Sequence, residues 1–250
     1  VGAEMPASFG SEALKAQAVT ARTYTLKRLY APAKHPRGAQ MCDDIRCCQA
    51  YIDPQKYRQE FGNSWYEARF VPVRRAVVAT RSQIMLYKNQ LIDTPYFSTC
   101  GGKTASASEV WGREVPYLQS VPCSYCQNSK RYNNQITISL KQVNQVLKEP
   151  EHKHFQLRSK VVTASGRLRS AVVNGRPISG TKLRQLFGLP STQITAVNQQ
   201  GNQVTFECRG YGHGVGLCQY GAAGMGQENY KYQQILQHYY QGIKVVKLNY

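Results

Sequence analysis

Acidic residues are scarce in this 250-residue sequence. It contains 14 Asp plus Glu against 32 Lys plus Arg, which gives a formal net charge of +18. Such a balance attracts polyanions. However, the chain shows no helix-turn-helix, RNP, KH or zinc-finger pattern, so we do not expect a sequence-specific nucleic-acid-binding protein. A solvated basic face, or an anionic neighbour such as a cell-envelope polymer or a membrane surface, accounts better for the charge.

Long apolar runs are missing as well. No segment approaches the roughly 18 apolar residues needed to cross a bilayer, and no basic-then-apolar leader is visible. The chain begins at Val1 without a methionine, which is compatible with an upstream signal or membrane anchor. No HExxH pattern is present, which argues against a zinc hydrolase of that type.

Eight cysteines are too few for a small disulfide-framework protein of this length. Two uses stay open, namely disulfides in an oxidising compartment and a thiolate metal site. The pair Cys123 and Cys126 has CxxC spacing but lacks a thioredoxin-like βαβ context. Cys208 and Cys218 bracket a glycine-rich stretch and could be bridged across it. The spacing does not decide the pairing.

The secondary-structure pattern predicts an α+β protein with helices and antiparallel hairpins interspersed, and without βαβ regularity. We interpret residues 1–250 as one domain, with the option of two lobes flanking a substrate cleft. A buried helix is expected over 11–30, with Ser11 as its N-cap and Pro32 beyond its end. The other predictions are an irregular segment (32–64), strand–turn–strand (74–93), a strand leading into a helix (136–149), a hairpin over Asn174-Gly175 followed by a helix from Gly180 to Gly188 (168–189), a hairpin turning at Gly201-Asn202 (193–210) and a final helix (230–241).

The sequence RGYGHGVGLCQYGAAGMG, residues 209–226, is the most unusual stretch, because seven of its eighteen positions are glycine. Glycine costs conformational entropy and is tolerated where the backbone needs a positive φ or approaches another group closely. On these residues alone, a tight loop between a strand and a helix is as good an explanation as a binding loop.

Three segments together resemble the SpoIID family, named for stage II sporulation protein D. They are GAEMPASFGSEALKAQAVTARTYTL (2–26), YFSTCGGKTASASEVWG (96–112) and GYGHGVGLCQYGAAGMG (210–226). A fourth, ISGTKLRQLFGLPST (178–192), extends the resemblance. Members of this family are extracytoplasmic lytic transglycosylases that cleave peptidoglycan glycan strands, preferentially after an N-acetylmuramoyl-L-alanine amidase has removed the stem peptides. The resemblance therefore implies that substrate, that functional partner and an extracytoplasmic location.

The resemblance also implies that Glu4, in the EMPA motif, is the catalytic general acid/base. Cleavage of a glycosidic bond requires a proton on the leaving oxygen as oxocarbenium character develops. One carboxyl is sufficient when the C6 hydroxyl of the sugar attacks C1 and gives a 1,6-anhydro product. Without the resemblance, Glu4 would more readily be interpreted as a surface residue leading into a helix.

By the same resemblance the glycine-rich stretch lines the active-site cleft, and its glycines let the sugar approach the backbone. Tyrosine rings offer an apolar face for stacking on sugars together with a polar tip. His213 could instead orient Glu4 or satisfy buried backbone groups. The expected substrate-binding residues are His213, Gln219, Tyr211, Tyr220 and, with weaker support, Ser98 and Lys103.

Residues 35–51 correspond to a family segment in which some members bind zinc through a histidine and two cysteines. Cys42 and Cys48 occupy the cysteine positions, Cys47 stands where histidine is common, and His35 lies near the upstream histidine. Zinc favours such S/N ligands, and we expect any zinc here to pin a loop, since the chemistry does not require it. Muramidase-type hydrolysis and non-catalytic glycan binding that enhances an amidase remain alternative functions.

Overall fold

The computed structural model describes residues 1–44, 47–148 and 152–249. The chain divides into two compact units, one comprising Val1–Pro95 and Ala222–Tyr250 and the other Tyr96–Gly221. Both combine helices with antiparallel strands, so the predicted α+β class is confirmed. Among the described residues, no helix is long and apolar enough to cross a membrane.

The first unit is built on helix α1 (Ser11–Leu29), which begins and ends close to the predicted positions. Many of its buried residues are small, including Ala13, Ala16 and Ala18. Its N-cap is Gly10, and Ser11 is already helical, so the prediction of Ser11 as the cap is wrong. The absence of an internal glycine or proline lets the helix continue for 19 residues.

Two helices follow in places where the sequence predicts other structure. Helix α2 (Pro54–Phe61) lies in the segment predicted to be irregular, and the side chain of Asp53 caps it by accepting hydrogen bonds from two backbone N–H groups. Helix α3 (Asn63–Ala79) continues through Pro72. It therefore includes residues 74–79, for which the prediction of a strand is wrong.

Packing explains why the β-branched end of α3 is helical. Phe70, Val73 and Ala76 are spaced three apart, are buried, and lie in a helix that packs against α1. Helical spacing of buried side chains outweighs the weak preference of valine for strands. The predicted hairpin then appears in shorter form as β1 (Gln83–Tyr87) and β2 (Gln90–Leu91).

The second unit contains most of the strands. In chain order its elements are β3 (Tyr96–Phe97), α4 (Ala107–Trp111), β4 (Asn133–Ser139), α5 (Leu140–Leu147), β5 (Leu157–Val162), β6 (Leu168–Val173), β7 (Arg176–Ser179), α6 (Gly180–Phe187), β8 (Ile194–Gln200), β9 (Gln203–Arg209) and β10 (Leu217–Cys218). They form two antiparallel sheets, of order β4-β9-β8 and β5-β6-β7, and one parallel pair, β3-β10.

Both predicted hairpins and the strand–helix pair of this unit are confirmed. The β6–β7 turn falls at Asn174 and Gly175, both with positive φ, and the β8–β9 turn at Gly201 and Asn202. Residue 149, the end of the predicted 136–149 element, lies outside the described residues. The apolar faces of both antiparallel sheets and of α5 and α6 contribute to a single buried core, in which Phe206 and Leu183 are fully buried.

The chain ends with α7 (Gln219–Gln227), which starts in the second unit, then α8 (Tyr232–Tyr239) and β11 (Lys244–Lys247). Helix α8 confirms the predicted final helix. Strand β11 was not predicted, and it pairs antiparallel with β1 to complete the three-stranded sheet of the first unit.

Candidate functional site

Glu4 is held in a tight turn at the start of the first unit. The backbone N–H groups of Glu4 and Met5 both donate to the carbonyl of Val1, at 2.9 and 3.0 Å. The side chain of Met5 is buried, whereas that of Glu4 is half-buried. The Oε1 atom of Glu4 accepts a hydrogen bond from the backbone N–H of Ala50 at 2.7 Å. The carboxyl is thus fixed in position and still partly accessible.

Ala50 belongs to the cysteine-containing segment that the sequence singles out. In that segment the ligand atoms of four residues lie within 4.8 Å of one another, a group called here the mixed cluster: His35, Cys42, Cys47 and Cys48. The Sγ atom of Cys48 is 3.4 Å from His35 Nε2. All four predicted ligands are therefore brought together. The last of them, Cys48, lies two residues before Ala50, whose backbone N–H holds the Glu4 carboxyl. Residues 45 and 46 of this segment lie outside the described residues.

The thiols of the mixed cluster differ in how readily they ionise. Desolvation opposes ionisation of Cys48, but hydrogen bonds from the backbone of Cys42 and from His35 outweigh it and lower the pKa of the Cys48 thiol to about 6. The pKa of Cys47 is raised to about 11, chiefly by its hydrogen bond with Cys42. Cys48 is therefore a thiolate near neutral pH, which is the form that binds metals.

A cavity of about 310 Å³ opens beside the Glu4 turn in the same unit. Its lining comes from the turn, from the segment after the mixed cluster and from α3, and includes Ala3, Ala50, Tyr51, Tyr66 and Phe70. The walls are mainly apolar and aromatic. Such a surface can cover the apolar face of a ligand.

Three other carboxylates are engaged in structural contacts. In the first unit, Glu12 accepts hydrogen bonds from Lys15 and from the backbone of Tyr232, and Asp53 caps α2. Asp93 forms an ion pair with Lys27 at 3.0 Å. Of these four first-unit carboxylates, Glu4 is the one bonded to the backbone of Ala50, two residues after Cys48 of the mixed cluster.

His213, in the second unit, has both ring nitrogens bonded to backbone. Its Nδ1 accepts from the N–H of Val215 at 3.1 Å, so Nε2 carries the proton and donates to the carbonyl of Tyr96, also at 3.1 Å. Burial, assisted by the charge of Arg184, lowers the pKa of His213 to about 4. The ring is therefore neutral, and its two hydrogen bonds link the glycine-rich stretch to Tyr96. This arrangement agrees with the alternative in which His213 satisfies buried backbone groups.

Glycines in this stretch are explained by contacts within the protein. Gly212 has φ +115°, and an added Cβ would lie 2.7 Å from the Cβ of Phe97. Gly214 has φ +91°, and an added Cβ would overlap the guanidinium of Arg167. Contacts within the protein therefore explain the lack of a side chain at both positions, and the approach of a sugar to this backbone stays a prediction.

The remaining predicted binding residues also lie in the second unit. Tyr211 is exposed, with the guanidinium of Arg131 4.6 Å from its ring centroid. Gln219 is buried, and the N–H of Tyr220 donates to the carbonyl of Ser98. Lys103 donates to the carbonyl of Ala164 at 3.2 Å. Their roles in binding remain predictions.

A larger and more polar cavity, about 850 Å³, is found in the second unit. The ring of His213 faces it beside Trp111, with the ring centroids 5.5 Å apart. Charged side chains of both signs line it as well, namely Glu109, Glu114, Arg167, Arg169 and Arg184. An aromatic surface next to charged groups is suited to a polar ligand such as a sugar.

The second cysteine group was not predicted. All eight cysteines are free, and Cys208 lies in the sheet core rather than with Cys218, so the suggested bridge between these two residues is not formed. Cys218 instead joins three others whose Sγ atoms lie within 4.8 Å of one another, called here the buried cysteine cluster: Cys100, Cys123, Cys126 and Cys218. The CxxC spacing was the available sequence signal for it.

Comparison with known proteins supports one relationship throughout the chain. The family model SpoIID, Stage II sporulation protein, matches residues 1–87. Stage II sporulation protein D of Bacillus subtilis is 33% identical over 249 residues, which cover 98% of this chain and 71% of the relative. The protein of the same name from Bacillus amyloliquefaciens is 32% identical with the same coverage. The chain belongs to the SpoIID family.

This SpoIID-family chain is also 25% identical to a protein named amidase enhancer in Bacillus subtilis, over 96% of this chain and 38% of that relative. The part matched by the SpoIID model contains Glu4 and the mixed cluster. The glycine-rich stretch lies outside that match but within the near-complete coverage by the sporulation proteins.

Proposed function

We propose that this protein cleaves the glycan strands of peptidoglycan as a lytic transglycosylase, with Glu4 as the single general acid and base. Membership of the SpoIID family supports a role in the cell wall. The observation that carries the proposal is the position of the Glu4 carboxyl. It is half-buried and hydrogen-bonded to the N–H of Ala50, a residue that lines the aromatic cavity together with the first three residues of the Glu4 turn.

The chemistry needs only this carboxyl. Glu4 in its acid form donates its proton to the glycosidic oxygen, and the bond from C1 of N-acetylmuramic acid to that oxygen breaks. The C6 hydroxyl of the same sugar then attacks C1 and gives its proton to Glu4, which returns to the acid form. The products are a 1,6-anhydro-muramic end and a new free hydroxyl, so no water is consumed. The fixed position of the carboxyl supplies the required proximity.

Zinc is proposed for the mixed cluster. Four donor atoms of the S/N type that zinc prefers lie within 4.8 Å of one another, and Cys48 ionises readily, so the residues fit the metal. Bound zinc would supply a cross-link holding the loop that ends in Ala50. The role of the loop residues is then to position Glu4, and no step of the reaction needs the metal.

The expected setting is extracytoplasmic, at the cell envelope. With 32 basic and 14 acidic residues, the protein is attracted to anionic cell-wall polymers, and this attraction weakens as salt screens it. Strands freed of stem peptides are the expected substrate, which makes an N-acetylmuramoyl-L-alanine amidase the functional partner. Neither nucleic acid nor a further cofactor is expected.

Digestion of peptide-free glycan strands, with mass detection of the products, tests the proposal. A lytic transglycosylase yields anhydro-muramic ends, which are one water lighter than reducing ends. Reducing ends would show muramidase-type hydrolysis instead. Binding without cleavage, combined with stimulation of an added amidase, would contradict the enzymatic proposal and favour the enhancer function suggested by one relative's name.

A further inference from the structure

The buried cysteine cluster joins three separate parts of the second unit. Cys100 follows β3, Cys123 precedes and Cys126 ends a short 3₁₀ helix over Ser124–Cys126, and Cys218 ends β10. All four side chains are at most 1% exposed. Residues 118 positions apart in sequence are thus brought to one point in the interior.

The spacing of the sulfurs fits one metal ion. Zn–S bonds of about 2.3 Å place the sulfurs of a tetrahedral site about 3.8 Å apart. Every sulfur pair in the cluster lies within 4.8 Å, and Cys100 and Cys126 are 3.3 Å apart. A cluster of several irons would need more widely separated thiolates, since irons and sulfides would lie between them. Disulfides would join the sulfurs in pairs at about 2.05 Å, which does not require all four to converge.

Two backbone donors point at the sulfur of Cys218. The N–H groups of Cys100 and Gly221 each donate to the Sγ of Cys218 at 3.3 Å. Such donors stabilise sulfur when it is a thiolate, because hydrogen bonds to a charged acceptor are the stronger ones. Second-shell hydrogen bonds of this kind orient metal ligands.

A buried cation beside the cluster points to negative charge there. Arg167 is 2% exposed, and its Nη2 donates to the carbonyl of Cys100 at 3.0 Å. Its Nε and Nη1 have no hydrogen-bond partner among the described residues. Arg184, a like charge, and the carboxylate Glu109 line the same cavity as Arg167. Burying a guanidinium next to neutral thiols would be costly, whereas a zinc tetrathiolate carries two negative charges.

We propose that the buried cysteine cluster is a structural zinc site that holds the second unit together. Binding converts four thiols and one Zn²⁺ into a tetrathiolate complex and releases four protons. With four protein ligands and no accessible face, the metal has no open position for substrate, as in closed structural sites. This site is separate from the mixed cluster and does not depend on the proposed catalytic function.

Metal analysis of the full chain tests the proposal once the mixed cluster is disabled. In a His35→Ala/Cys48→Ser background, purified under reducing conditions, we expect about one zinc per chain. X-ray absorption should show four sulfur neighbours at about 2.3 Å. Adding Cys126→Ser should remove that zinc, whereas Cys208→Ser, a buried thiol outside the cluster, should retain it.

Several results would overturn the proposal. One is a background variant that contains no zinc, or iron in its place. Another is mixed sulfur and nitrogen ligation. A third is alkylation of the unreduced, denatured chain that finds the four thiols oxidised in pairs. If Cys126→Ser does not fold, the absorption spectrum and thiol count of the background variant alone decide the question.

Discussion

The mixed cluster and the buried cysteine cluster each gather four metal-binding side chains, but their surroundings differ. In the mixed cluster Cys47 is exposed and the other three side chains are half-buried, close to the Glu4 carboxyl. In the buried cysteine cluster every side chain is enclosed, with a buried arginine alongside. An accessible site exchanges its metal and adjusts a neighbouring group, whereas an enclosed one stabilises the fold. We therefore expect zinc in the mixed cluster to position Glu4, and zinc in the buried cysteine cluster to stabilise the second unit.

The close approach of Arg167 to the backbone of Gly214 predicts a large effect of substitution there. Replacement by alanine places a Cβ against Arg167 at a backbone position with φ +91°. We expect the free energy of unfolding to fall by about 3 kcal/mol more than in Gly201→Ala. Gly201 also has positive φ but has nothing within 4 Å of an added Cβ. Denaturant titration measures both, and equal losses would show that the close approach of Arg167 is unimportant.

A pH-dependent effect is expected from His213, whose pKa is lowered by burial to about 4. The unfolded value is about 6.5, so the unfolded chain binds more protons between these values. The stabilising contribution is therefore complete above pH 6.5 and is lost as the pH falls toward 4, by up to about 3 kcal/mol.

The measurement compares unfolding free energies of His213→Gln and wild type from pH 7 to pH 4. We expect a shallower decline for the variant. His154→Gln, at an exposed histidine, serves as the control, because both variants keep every cysteine. If the two variants show the same pH profile, His213 is not the buried neutral group described here.

The smallest of these effects is expected at the mixed cluster. Cys48→Ala should reduce glycan cleavage about tenfold while changing the melting temperature little, since loss of a supporting shell typically costs ten- to a hundredfold. Chelator treatment of the wild type should reproduce the loss, and added zinc should restore activity to the wild type but not to the variant. A melting temperature that falls as far as it does in Cys126→Ser would contradict the distinction between the clusters.

Local signals in the sequence were sufficient to predict the secondary structure of much of the second unit. The turns at Asn174-Gly175 and Gly201-Asn202 need residues that accept positive φ or a tight bend, and both are where the sequence indicates. The strand-to-helix change at Ser139 carries its own capping box with Gln142. In these places a few neighbouring residues determine the structure.

Prediction from the sequence failed where contacts between residues far apart in the chain determine the structure. Residues 74–79 are helical because α3 packs against α1, which no local preference for strand reveals. The mixed cluster could be predicted because its members lie within 14 positions of each other, from His35 to Cys48. The buried cysteine cluster could not, since the fold alone brings Cys100 and Cys218 together. The internal contacts of the glycines in 209–226 could not be predicted either, because partners such as Arg167 are far away in sequence.

Kinetics of Glu4→Gln on peptide-free glycan strands test the central claim most directly. The amide retains an oxygen that can accept the Ala50 N–H, but it cannot exchange a proton with the glycosidic oxygen. We predict a loss of at least about a hundredfold in cleavage rate with an unchanged melting temperature. A folded Glu4→Gln protein that releases anhydro-muramic products at the wild-type rate would contradict the account.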